Sequence, residues 1–205
     1  MNEPEFEFKI ITSDFDLREL FEFRYKIYFQ EMRRFQLDAD HESRVIRDRL
    51  DNWGRNFVVR KNGRIVAAIR GNFFRDGHDD KYESLYQPQS VGEDHPSKTC
   101  MVTRLMIDSD LRGSPLVLDL FLWLYSYAID HDLNWILLDC NDWLINFFQR
   151  FGFLEYRGKV EHEEYGLVTP MRVNLKDEKH LRAVDSPYLP LLLARKAVSE
   201  LNGSQ

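Results

Sequence analysis

The sequence predicts one mixed α/β domain, a mostly antiparallel sheet flanked by helices on both faces. Three observations lead there. The apolar spacing switches repeatedly between the strand and helix periods, so strands and helices are interleaved. Asn62-Gly63 falls between two apolar, β-branched runs, a strong hairpin signal. Two successive strand-then-helix units fill residues 99–151. At 205 residues the chain fits one domain with a genuine core. We place that domain at 1–176, with a helical extension packed on it over 177–205.

Each element has its own reason. Residues 5–12 alternate as a strand, and Ser13 or Asp14 then offers an N-cap for a helix running to about residue 32. A carboxylate-rich connection holds Asp38, Asp40, His41 and Glu42, and a helix is expected over 43–50. Strands at 56–60 and 64–74 flank the Lys61-Asn62-Gly63 turn, and 75–98 read as polar turns. A strand is expected at 99–108, a helix at 116–131, a buried strand at 134–140 and a short helix at 142–151. Strands at 153–157 and 164–174 then close the sheet, and residues 189–201 form an amphipathic tail whose apolar side packs on the body.

Composition narrows the function. A formal net charge of −6 excludes a general nucleic-acid binder, because phosphate contacts need a basic surface. The densest basic cluster, Arg33-Arg34 with Arg44, Arg47 and Arg49, has the solvated helix face as its ordinary explanation. No run approaches the roughly 18 apolar residues of a membrane span, and residues 1–9 lack a signal-peptide pattern, so a cytosolic protein is expected. Cys100 and Cys140 sit in apolar runs without metal-ligand spacing and read as reduced core thiols, and no metal site is expected. The 14% aromatic share suggests a bulky core or an apolar pocket.

The segment NDWLINFFQRFGF over 141–153 matches the GNAT acyltransferase pattern, in which an asparagine after a strand precedes a helix ending in Gly-Phe. Gly152 suits the helix C′ position, where positive φ is cheap only for glycine. The resemblance implies a GNAT-like sheet and a thioester donor. Two departures matter. The small residues that expose backbone N–H groups to CoA pyrophosphate fall on Pro115, which has no N–H, and on Val117, although Arg112 is present. The tyrosine often used as general acid falls on Phe148.

Arg24 lies on the apolar stripe of the first helix, Arg70 ends an apolar strand and Arg104 interrupts another. Buried arginines need carboxylate partners. Asp48 and Asp51, three residues apart, are the nearest suitable pair. Arg24 with Tyr28, Asp48-x-x-Asp51, the hairpin through Gly63, Arg70 and Thr103-Arg104 together resemble the acyl-homoserine-lactone synthases and the long-chain N-acyl amino acid synthases over about residues 10–175. The glutamate expected of the lactone synthases three residues before Arg104 is Met101, and their tryptophan ten residues after Arg24 is Arg34. Both differences, with the segment 164–175, favour the amino acid synthases.

The resemblance implies an N-acyltransferase that moves a fatty acyl group from acyl carrier protein, or less readily from acyl-CoA, to the amine of an amino acid or similar small molecule. It implies Arg24, Asp48, Asp51, Arg70 and Arg104 as site residues that touch substrate or support the site. Glu42, with Asp38, Asp40 and His41, supplies candidate bases. The acyl-phosphopantetheine arm is expected near Met106, Ile107, Arg112, Gly113 and Asn141, with backbone N–H groups near Met106 and Ile107 polarising the carbonyl. Phe121, Trp123, Leu124, Trp143 and Phe147 either line an acyl pocket or pack the core. Arg33, Arg34, Arg44 and Arg47 are candidates for docking the acidic carrier protein. Two other readings stay open: an acetyl-CoA-dependent GNAT enzyme and a catalytically silent GNAT-like binding domain.

Overall fold

The computed structural model describes residues 6–203. Strand β1 is Phe6–Ile11, and the expected strand residue before it lies outside the described residues. The Ser13 hydroxyl accepts from Asp16 N at 3.2 Å and starts helix α1, Asp14–Arg24. The helix then changes form. Tyr25–Glu31 widens into a π-helical segment, with Met32 N donating to Ile27 O at 3.0 Å.

The helix expected over 43–50 does not form. Asp40 Oδ1 accepts from the amides of Glu42 and Ser43 at 2.9 and 3.0 Å, and Arg44 stands at φ 55°. This side-chain turn takes amides a helix would need. The chain doubles back as a short pair, β2 (Ala39–Asp40) with β3 (Val45–Ile46), and then makes one 3-10 turn, Arg49–Asn52, capped by Asp48. The hairpin forms as expected. β4 (Arg55–Lys61) meets β5 (Arg64–Phe73) through Asn62 at φ 53° and Gly63 at φ 76°, the two left-handed positions of a tight hairpin turn. Within the stretch expected to hold only turns lies α2, Asp80–Tyr86, which Asp79 caps; it is short, polar and buries only Leu85 and Tyr86.

The remainder is β6 (Thr99–Ile107), α3 (Leu116–Asp130), β7 (Trp135–Cys140), α4 (Ile145–Gln149), β8 (Leu154–Glu155), β9 (Val160–His162), β10 (Gly166–Asn174), α5 (Glu178–Ala183) and α6 (Leu189–Gly203). The three-residue β9 is an addition to the expected strands. Eight strands join in the order β1-β4-β5-β6-β7-β10-β8, with β9 also on β10. Every pair is antiparallel except β6 with β7, which run parallel and pair only over Thr99–Met101 and Trp135–Leu137. The strands then part. Between Ala68 and Arg70 the β5–β6 register shifts, Arg104 takes φ 57°, and the resulting bulge bends β6.

The two sheet faces are covered differently. On one, Leu120, Phe121 and Leu124 of α3 pack with Phe148, Phe153 and residues from β4, β5, β7 and β10; Leu181, Tyr188 and Leu192 from the C-terminal segment join the same core. On the other, Leu20, Phe21, Ile27 and Tyr28 pack on Val58, Ile65, Ala68 and Met106, while Leu85 and Tyr86 of α2 cover Met101 and Leu137.

Gly152 links α4 to this core at φ +100°, and a Cβ there would meet Leu181 Cδ2 at 2.8 Å. Gly152→Ala is therefore expected to destabilise the fold by about 1–3 kcal/mol through backbone strain and overpacking, read as a lowered urea midpoint with an unchanged m-value.

Candidate functional site

Three arginines from three elements converge on the 49–52 turn and its cap. Arg24, fully buried, clasps Asp51 with two bonds of 2.7 and 2.8 Å and reaches Asn56 Oδ1 at 2.9 Å. Arg70, also fully buried, bonds Asp48 at 2.6 and 3.0 Å, Asp51 at 2.8 Å and Thr103 Oγ1 at 3.1 Å. Arg104 bonds Asp48 Oδ2 through Nε at 3.1 Å and Nη2 at 2.8 Å, and gives Nη1 to Gln36 and to Tyr165 OH. Glu164 Oε2 stands 3.6 Å from Arg104 Nη1. Three cations thus face three carboxylates. The two aspartates also hold the turn: Asp48 accepts from Leu50 N, and Asp51 accepts from Asp48 N, each at 3.0 Å.

Burial alone would raise the Asp48 carboxyl, but Arg70 and Arg104 outweigh it and hold the group well below the usual carboxylate range. Asp51 is lowered likewise, with burial opposed by Arg24 and Arg70. Arg24 pays for its burial with a depressed pKa despite Asp51, whereas the carboxylates raise Arg70 against the same burial.

Where β6 and β7 part, a cavity of about 400 Å³ crosses the sheet. Its apolar part, on the α3 and α4 side, is lined by Val102, Val117, Phe121, Leu138, Leu144, Phe147 and Phe148. Its polar part, on the α1 and α2 side, is lined by Tyr28, Arg34, Tyr82, Arg104, Asp139, His162 and Tyr165. Trp143, 69% exposed, is on the rim. Trp123 and Leu124 are not in the lining: Trp123 packs edge-on against Phe8 and Phe57, and Leu124 belongs to the core.

Of the residues expected along the donor arm, Met106, Ile107, Arg112, Gly113 and Asn141 all line the cavity. Arg112 Nε donates to Ile107 O at 3.1 Å while Nη2 pairs with Glu31 at 2.6 Å, and Asn141 Nδ2 donates to Tyr165 O at 3.2 Å. Asp108 N donates to Val66 O at 2.8 Å, so Ile107 and Ala67 are a non-hydrogen-bonded pair and the Ile107 amide points away from β5, toward the parting. The adjacent Met106 amide belongs to the ladder with Ala68, which corrects its expected exposure. Pro115 is the N-cap residue of α3 and gives no side-chain cap bond.

The expected base loop does not reach the cavity. Glu42 is exposed on the β2–β3 turn, Asp40 is committed to the amides of that turn, and His41 Nδ1 lies 3.1 Å from Tyr25 OH under Phe29. Asp38, whose carboxyl is raised by burial and by Asp48, is also outside the lining. The other titratable side chains that stand there include Asp139 and His162, neither of which is among the sequence-predicted site residues. Asp139 accepts from Tyr86 OH at 2.5 Å, and burial pushes its carboxyl up. His162 stacks on Tyr165 at 4.5 Å, accepts from Glu164 N through Nδ1 at 3.1 Å, and burial lowers its pKa. Asp139 is a lone carboxylate in the apolar run Ile136–Cys140, on the same strand face as the buried Leu137, and a charge in such a run is a signal the sequence contained. His162, on an unforeseen strand, had none. Cys140 also lines the cavity, with its thiol pushed up to about 12 by burial, so it stays un-ionised and a poor nucleophile. Among the described residues no cluster of His, Cys, Asp and Glu suits a metal ion, and no helix is long and apolar enough to cross a membrane.

An unfolded aspartate titrates near roughly 3.9. Because folding lowers both carboxyls, the stabilisation they give is complete above that pH and is lost as pH falls through the folded values. Asp51→Ala, which leaves Arg24 and Arg70 short of a partner, is expected to cost about 3–5 kcal/mol at neutral pH in urea titration. The difference from the wild type should shrink as the pH is taken below about 4.

The geometry has close counterparts among solved structures. FeeM, an N-acyl amino acid synthase from uncultured soil microbes, superposes with a TM-score of 0.69 at 11% identity, covering 92% of this chain and 99% of that one. BjaI, a CoA-dependent acyl-homoserine lactone synthase, gives 0.67 at 15% identity over 85% of this chain and 84% of its own. An acyl-CoA N-acyltransferase from Pseudomonas aeruginosa gives 0.58 at 16%, over 83% and 99%. The fold is therefore of the GNAT type. No curated protein matches the chain in sequence. The family model for the N-acyl amino acid synthase FeeM matches residues 19–174, and the chain, an acyltransferase, belongs to that family.

Proposed function

We propose that this acyltransferase moves a fatty acyl group from the phosphopantetheine thioester of an acyl carrier protein to the amine of an amino acid or similar small molecule. The observation that carries the reading is the cavity through the parted strands, apolar on one sheet face and polar on the other. An acyl chain fills the apolar part and the acceptor occupies the polar part. The thioester carbonyl then lies at the parting, where the Ile107 amide points and stabilises the developing oxyanion. The acceptor nitrogen attacks directly, since the un-ionised Cys140 does not favour an acyl-cysteine intermediate. The charged cluster beside Tyr165 holds β6 and the polar wall in place rather than taking part in bond changes.

The carrier protein is preferred over CoA because the start of α3 lacks the small residues of a pyrophosphate cradle: Pro115 has no N–H, and Val117 presents its side chain to the cavity. BjaI, described as CoA-dependent, keeps the CoA reading in the test. In this reading Arg112, Gly113 and Asn141, which line the cavity, flank the pantetheine arm. Arg33, Arg44 and Arg47 are exposed and suit an acidic partner, whereas Arg34 lines the cavity.

Free-thiol release should be faster with long-chain acyl carrier protein than with acetyl-CoA or long-chain acyl-CoA across a panel of amino acids, with N-acyl amino acid detected by mass spectrometry. Preference for either CoA donor overturns the carrier assignment. Val117→Phe, which narrows the apolar part, is expected to shift the preferred acyl chain to shorter lengths by kcat/KM. Reversing Arg33 and Arg44 to glutamate should raise KM for the acyl carrier protein several-fold, mainly through slower association, and leave KM for a free acyl-pantetheine unchanged.

A further inference from the structure

The polar end of the cavity has two opposite charges that the central ion network does not use. Arg34 lines the cavity with its guanidinium 5.7 Å from the centre of the Tyr165 ring, and no carboxylate among the described residues is within ion-pair distance of it. Arg104 and Arg112, the other lining arginines, are both paired. Asp139 lines the same cavity, and Tyr86 is its hydrogen-bond donor, on Oδ1. Arg34 lies beside the Tyr165 ring, Tyr165 stacks on His162, and His162 acts electrostatically on the Asp139 carboxyl, so the two charges are linked along one aromatic wall of the cavity. An unpaired guanidinium and a carboxylate along one aromatic wall complement a zwitterion.

We propose that this end is the acceptor subsite for an α-amino acid, with Arg34 pairing with its carboxylate and Asp139 receiving its ammonium group and accepting a proton from it. The proposal rests on the N-acyl transfer reading above. One ammonium proton passes to Asp139, and the freed nitrogen pair forms the N–C bond at the thioester carbonyl. The C–S bond then breaks, and the pantetheine thiolate takes the second proton from nitrogen as the amide forms. Asp139 returns its proton to solvent, so the products are amide, thiol and one proton.

The test uses the full-length protein with matched pairs, phenylalanine against phenethylamine and leucine against isoamylamine, which differ only by the carboxylate. Calorimetry without any donor should show the amino acid binding more tightly than its amine, by about 10–100-fold for one charge-assisted pair. Arg34→Gln should collapse that ratio toward one, and Arg34→Lys should restore part of it. In turnover, Asp139→Asn should lower kcat by about 10²–10⁴-fold with little change in KM for the amino acid, the pattern of a lost proton acceptor. Equal binding of acid and amine by the wild type, or an unchanged ratio in Arg34→Gln, overturns the proposal. So does a kcat retained in Asp139→Asn. If the protein acylates no amine, the transfer reading fails, while the binding ratios still decide the Arg34 assignment.

Discussion

The Asp48 and Asp51 carboxylates are the meeting point of three otherwise independent parts of the chain. Arg24 comes from the first helix, Arg70 from β5 and Arg104 from β6, and each reaches the same short turn. Three buried guanidiniums without that turn would cost several kcal/mol apiece. With it, each cation has a bidentate or shared partner, and the turn has its own amides satisfied. Such a network adds little net stability over an apolar core of equal volume, but it admits one arrangement of helix and strands. It also accounts for a strained residue. Arg104 holds a left-handed backbone that costs a non-glycine residue about 1–3 kcal/mol, and four partners fix its side chain.

That strained residue sits in the bulge that bends β6, and the bend bears on the cavity. Only three residues of β6 pair with β7 before the strands separate. In an unbroken sheet the two faces would be sealed from each other. Here the cavity joins them at the strand edges. The amide of Ile107, left without a partner on β5, is presented there by the alternation of the ladder. Ion network, bulge and opening thus form one chain of physical dependence.

Much of this was legible in the sequence. The order of the principal strands and helices followed from periodicity, and the Asn62-Gly63 turn and the Gly152 helix end each have the backbone angles their residues require. The arginines stood out because a charge on an apolar stripe demands a partner, and Asp48 and Asp51 are that partner. The local geometry of that partner was harder to read. Residues 43–50 have acceptable helix composition, but Asp40 competes for the amides of Glu42 and Ser43, and such side-chain capture is decided by a single torsion rather than by a repeating pattern. The polar wall was least legible. Asp139 is one polar residue in an apolar strand, and His162 and Tyr165 reach the cavity from a three-residue strand and a turn that no period announces.

Identities of 11–16% accompany TM-scores of 0.58–0.69, so the fold persists while most side chains differ. A packing core tolerates substitution so long as volume and pattern persist, whereas an arginine buried against two aspartates cannot be exchanged one member at a time. The positions that differ from the lactone-synthase pattern behave differently from the cluster. Met101 is 2% exposed, packs with Leu50, Tyr86 and Leu137 and is not in the cavity lining, while Arg34 is. Replacing a carboxylate by a thioether at 101 removes a charge from the sheet beneath α2, and replacing an indole by a guanidinium at 34 adds a charge at the mouth. Neither change touches Asp48 or Asp51. The framework that parts the strands can thus stay fixed while the charge of the polar end is altered.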